Sequence, residues 1–165
     1  MKAIRKANRG SAILEFTLSS IPLIFVMVSV VQMSLGMWNY HTLNEAVNLA
    51  ARAAAVRGVD CASTCAVTVG QITTMIDNKG VGLVPGSLNV SLTDANGSIV
   101  CHPITSCTSS TTVFPRSGGN AVGQVIAVSG SYPFNNAISM FVPGTGYSSF
   151  GAPTLTAISQ QVIVY

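Results

Sequence analysis

The residue best placed to do chemistry is Glu15, a lone carboxylate at the head of an apolar run. From Phe16 to Trp38 there is no Asp, Glu, Lys or Arg. In hydrocarbon an ionised carboxylate costs several kcal/mol unless it finds a partner, so such a residue is read first as functional. Its position suggests the partner. A cut after Gly10 would make Ser11 the N-terminus and Glu15 the fifth residue. A freed α-amine on a neighbouring subunit is then a natural counter-ion. Glu15 also lies in the first turns of the expected helix, where the dipole favours negative charge.

The other reactive side chains are four cysteines, Cys61, Cys65, Cys101 and Cys107, all beyond the apolar run. Topology makes that side extracytoplasmic and oxidising, so disulfides are expected. Three pairings are possible. Proximity favours Cys61–Cys65 with Cys101–Cys107, whereas the cross-pairings would tie the helix end to a hairpin. A zinc site using His102 beside Cys101 is the sharper alternative, but the C-x3-C and C-x5-C spacings fit it poorly. His41 reads as a solvated interface residue, and Asp60, Asp77 and Asp94 read as caps or turn residues with no ligand cluster. There is no Ser/His/Asp order, no HExxH, no phosphate-binding glycine loop and no carboxylate pair within one element. No catalytic activity, cofactor, metal or small-molecule substrate is expected.

The element that must carry Glu15 is a membrane helix. Residues 16–38 would cover about 34 Å as a helix, enough to cross a hydrocarbon core. The run is longer than the h-region of a secretory signal peptide, and no A-x-A site follows it directly; Ala51-Arg52-Ala53 lies well downstream. Lys2, Arg5, Lys6 and Arg9 precede it and fix a cytoplasmic N-terminus. Charged residues make up 8% of the chain, against about 25% in soluble domains, which points to a membrane or a packed assembly. The formal charge of +3 belongs to the first ten residues; beyond them four basic side chains face five acidic ones, so nucleic acid is not an expected partner. Trp38 and Tyr40 stand where an aromatic belt would meet the far interface. Pro22 is tolerated in such a helix with a kink.

A basic leader, Gly10, a small residue, apolar residues, Glu15 at the fifth and Phe16 at the sixth mature position resemble the type III signal of prepilins. More narrowly, Arg9-Gly10-Ser11-Ala12-Ile13-Leu14-Glu15-Phe16-Thr17-Leu18, then Pro22-Leu23, then Ala50-Ala51-Arg52-Ala53-Ala54-Ala55-Val56-Arg57-Gly58 resemble the TadE-like family. These are minor pilins or pseudopilins of Tad (tight adherence, Flp-type pilus) systems. The specific resemblance covers roughly residues 9–58; residues 125–134 are similar to the family's late strand with little specificity. Major Flp pilins are very short, so the long tail argues against that role. The resemblance implies cleavage by prepilin peptidase between Gly10 and Ser11, and assembly through Glu15 and Phe16. It further implies an inner-membrane, single-pass protein whose partners are that peptidase, other pilins and Tad inner-membrane assembly proteins. Pilus biogenesis and surface adhesion are the processes it would serve.

The rest of the chain reads as a small α+β unit. Tyr40, Leu43, Val47, Ala50 and Ala54 form an apolar stripe that extends the helix outside the membrane to about 45 residues, with Gly58 as its C-cap. The division expected is a leader at 1–10, a transmembrane and extended helix at 11–58, and an extracytoplasmic domain at 59–165. In that domain a loop at 60–64 precedes a short helix over about 67–78, with Val69, Ile72, Met75 and Ile76 inward. Alternation over 87–93 marks a half-buried strand, Asp94-Ala95-Asn96-Gly97 a turn, and 98–101 a return strand. Residues 102–120 read as a Ser/Thr-rich surface loop, 121–134 as a strand, 135–153 as an excursion and 154–165 as a last strand. The fold class is a long helix packed on a small antiparallel sheet, type IV pilin-like. An uncleaved, anchored module that binds an envelope ligand through residues 105–120 is the alternative function.

Overall fold

A computed structural model describes residues 9–57, 65–134 and 153–164. The chain is α+β: helix α1 (Arg9–Val56) packs with helix α2 (Val69–Lys79) on one face of an antiparallel sheet. The strands are β1 (Asn89–Asp94), β2 (Gly97–Cys101), β3 (Val125–Pro133) and β4 (Thr154–Val162), in the order β2-β1-β3-β4. The expected leader (1–8), the Gly58 cap, the loop at 60–64 and the excursion at 135–152 lie outside the described residues.

Helix α1 has two halves. From Ala12 to Asn39 every side chain is exposed or half-buried; burial begins at Leu43 and continues through Ala46, Val47, Ala50, Ala51, Ala54 and Ala55. The buried stripe is therefore wider than expected, and Tyr40, at 43% exposure, is not part of it. Small residues let the helix lie close to the sheet. A methyl placed on Gly130 of β3 would stand 3.0 Å from both Leu43 Cδ1 and Val47 Cγ2.

Helix α2 starts where its capping chemistry dictates. Thr68 Oγ1 accepts from the Gln71 amide at 3.2 Å while Gln71 Oε1 accepts from the Thr68 amide at 3.2 Å, a reciprocal capping box. Val69, Ile72 and Ile76 turn inward as expected; Met75 is only half-buried, and Gly70 and Thr73 take the inner positions beside them.

In the sheet, Val90 and Leu92 face the helices, with Leu88 buried just before the strand; Asp94 pairs with Gly97 across a two-residue turn. β3 begins at Val125 rather than 121, because Gly123 takes φ +85° in a turn. The stretch 102–120 is not the surface loop expected. Ile104 and Phe114 are fully buried, and Gly119 and Asn120 are buried with them. The segment is laced to the start of α2: the Val69 amide donates to Thr112 O at 2.8 Å, Gly70 to Ser110 O at 3.0 Å, and the Phe114 amide to Val67 O at 3.0 Å. Two scattered apolar anchors draw a polar sequence into the core.

Candidate functional site

The lower half of α1 presents a continuous apolar surface. Ile13, Leu14, Phe16, Leu18, Ile21, Leu23, Phe25 and Val26 are each more than half exposed among the described residues. The helix is long and apolar enough to cross a membrane. Its polar side chains are suited to such a medium. Thr17, Ser20, Ser29 and Ser34 each donate to a carbonyl three or four residues back, at 2.8–3.1 Å, so these four hydroxyls are satisfied within the helix. Thr17 and Ser20 both lie in the turns just before Pro22, the one proline inside α1.

Glu15 is exposed on this surface, with Phe16 at 74% exposure beside it. Helix α1, as described from Arg9, already includes Gly10, the last residue of the expected leader, and Ser11. Four residues separate Ser11 from Glu15. At helical rise that is about 6 Å along the axis, one turn on the same face. The Glu15 side chain lies on the exposed surface of the helix.

The reactive groups of the upper region do structural work. Cys101 and Cys107 form a disulfide with Cα atoms 5.6 Å apart, closing the chain after β2. Cys65 is also disulfide-bonded, and Cys61 lies outside the described residues. No group of three or more His, Cys, Asp or Glu side chains that could hold a metal occurs among the described residues. His41 and His102 are both exposed, His41 meeting Tyr40 edge-on with ring centroids 6.0 Å apart.

Asp94 does more than close a turn. Its side chain is fully buried and accepts from Arg116 Nη2 at 2.7 Å, Arg116 Nε at 2.9 Å, the Arg116 amide at 3.0 Å and the Asn96 amide at 2.9 Å. Burial pushes the carboxyl up, but the Arg116 fork and the two backbone amides outweigh it and hold the group below the usual carboxylate range. Arg116 Nη2 also donates to Gly97 O, and Asn96 Nδ2 to Ser117 O, tying the hairpin tip to the 114–119 chain. Sequence reasoning missed this pair, since 22 residues separate its members. The capping box was readable as Thr68-x-x-Gln71.

An open groove lies between α2 and residues 108–111, lined by Thr68, Gln71, Thr74, Lys79, Thr108 and Ser110 among others. Lys79 is its one ionisable group, so the groove joins no nucleophile to a base. The hydroxyl-rich surface at 105–112 is tied to α2 by backbone hydrogen bonds and overlaps the 3-10 turn Ile104–Cys107, which the disulfide closes.

No curated protein and no solved structure matches the chain. A family comparison picks out the exposed half of α1 and much of its buried half: residues 10–52 match the family model of TadE-like proteins.

Proposed function

We propose that this chain is an assembly protein of a Tad (Flp-type) pilus or secretion system, a minor pilin or pseudopilin. One observation carries the reading. The TadE-like match at 10–52 falls on a helix whose first half is apolar, free of basic residues beyond Arg9, largely exposed among the described residues, and marked by the outward Glu15. Such a surface has two uses, in lipid and against other helices.

In this reading the chain inserts with its N-terminus in the cytoplasm, and prepilin peptidase cuts between Gly10 and Ser11. The amine created at Ser11 is neutralised by Glu15 of a neighbouring subunit, which sets register, while Phe16 packs beside it. Before assembly α1 anchors the protein in the inner membrane; afterwards it packs among other pilins, and the extracytoplasmic sheet caps or decorates the fibre in support of adhesion. The first helical turn has to open for the cut, which a helix terminus does at little cost.

N-terminal sequencing after co-expression with a prepilin peptidase tests the cut. A mature protein starting at Ser11 is expected; an intact Met1 overturns it and favours an uncleaved envelope-binding anchor. Glu15→Ala is expected to insert normally and to lower the yield of sheared fibres. Wild-type fibre yield from that variant would remove the role assigned to Glu15.

A further inference from the structure

The loop 80–84, between α2 and the turn Pro85–Ser87, meets α1 at a telling height. A methyl placed on Gly82, whose φ is +92°, would lie 3.3 Å from Asn39 Oδ1 and 3.7 Å from Trp38 Nε1. Trp38 closes the charge-free run that begins at Phe16. It also lies five residues, about 7 Å of helix, below Leu43, the first fully buried residue of α1. The loop therefore hangs below the core, level with the end of the membrane span.

It is also braced. Leu83 is buried, its amide donates to Gly80 O at 2.9 Å, the Gly80 amide donates to Ile76 O at 2.8 Å, and the Ser87 amide to Val84 O at 2.9 Å. The Val84 amide reaches Tyr132 Oη at 3.5 Å. Held in this way, Val81 and Val84 remain 63% and 57% exposed. Between Gly80 and Thr93 the sequence has no charged residue. A second point of the domain reaches the same level: the Phe134 ring, just past the end of β3, lies 3.6 Å from a methyl placed on Gly36.

Scattered exposed valines on a soluble surface need no explanation. Two fixed ones at the height of an interfacial tryptophan, on a loop without charge, fit the headgroup–acyl boundary of a bilayer. We propose that loop 80–84 rests on the outer surface of the membrane that α1 crosses, with Val81 and Val84 entering the lipid beside Trp38. The contact would fix how the domain sits over its anchor. The inference rests on the membrane-spanning reading of α1.

The test uses the full chain in vesicles of phosphatidylcholine and phosphatidylglycerol, with and without phosphatidylcholine brominated near the headgroup end of its acyl chains. Trp38 is the chain's single tryptophan, so wild-type emission reports the span itself. Val81→Trp and Val84→Trp, each in a Trp38→Phe background, report the loop. Val122→Trp in the same background is the distant control: Val122 is 69% exposed and precedes β3, whose Val125 lies about 26 Å of strand from Pro133. Bromolipid is expected to quench Trp38, Trp at 81 and Trp at 84 by similar factors and to leave Trp at 122 unchanged. Quenching of Trp38 with none at 81 and 84 overturns the proposal alone. An unquenched Trp38 overturns the span and the proposal together. Quenching at 81 that changes as protein is diluted in lipid assigns the loop to a second copy of the chain and overturns the lipid contact.

Discussion

The two halves of α1 reverse the usual rule of side-chain size. Between Ile13 and Met37 the bulky residues are exposed, whereas the buried face from Leu43 to Ala55 is mainly alanine. In a water-soluble domain large apolar side chains go inward because each contributes about 1.5–3 kcal/mol when removed from water. Their exposure among the described residues is what the proposed function calls for, a lower half that meets lipid or neighbouring helices. Alanine in the upper half has a different cause. The sheet lies so close that Gly130 has no room for even a methyl without movement of Leu43 and Val47. One helix thus carries two surfaces, one built for bulk contact with an apolar medium and one for close approach within the chain.

The comparison is broken most forcefully by the same charge in each half. Ala50→Arg places an unpaired cation in a position with no exposure. The cost should be several kcal/mol, comparable with the whole stability of a small domain, and the domain should lose its near-ultraviolet circular dichroism. Val26→Arg, at a position 60% exposed, should leave that signal intact and instead cost about 3 kcal/mol of membrane insertion, read as a fall in the glycosylated or protected fraction in an insertion assay. Unfolding by the Val26 variant would erase the distinction between the halves.

Much of this division was legible in the sequence. The charge-free run, the basic flank and the apolar stripe gave α1 its extent, because each is a regular pattern over many residues. The alternation of Leu88, Val90 and Leu92, with the Asp94–Gly97 turn, gave the first hairpin for the same reason. What stayed hidden depends on contacts between distant residues. Ile104 and Phe114 are isolated apolar residues in a Ser/Thr-rich stretch with no period, and Arg116 finds Asp94 only once the hairpin is folded. The height of Gly82 beside Trp38 is invisible to any pattern, since 44 positions separate them.

The Asp94–Arg116 pair sharpens the comparison through pH, because it touches only the upper region. The carboxyl lies below the usual value of 3.8 in the folded chain, so its contribution is present above that value. It is lost as pH falls from there through the folded value. Urea midpoints of the wild type should drop as pH falls below about 4, while Asp94→Asn, less stable by about 2 kcal/mol at neutral pH, should lack that component of the drop. Membrane partitioning of the variant should match wild type at neutral pH. Removing the Cys101–Cys107 closure with a double alanine variant should cost a similar amount, about 2 kcal/mol from the loop-closure entropy of so short a loop, again read in the urea midpoint.

The smallest effects come from two glycines at which α1 is approached closely. At Gly130 a methyl would sit 3.0 Å from Leu43 Cδ1 and Val47 Cγ2, tighter than ordinary packing. Overpacking of this kind costs about 1–3 kcal/mol, partly offset by the 0.5–1 kcal/mol that replacing a strand glycine recovers. Gly130→Ala should therefore be destabilising by about 1 kcal/mol, and Val47→Ala should relieve it in a double-mutant cycle because the contact is shared. At Gly36 the nearest atoms are those of the Phe134 ring at 3.6 Å, an ordinary van der Waals distance. Gly36→Ala meets no obstacle there and gains helix propensity, so the thermal midpoint should hold or rise by an amount equivalent to at most about 1 kcal/mol. A loss at Gly36 as large as that at Gly130 would mean that the close approach of sheet to helix continues down to the membrane level, and that the boundary between the two surfaces of α1 lies below Gly36 rather than near Asn39.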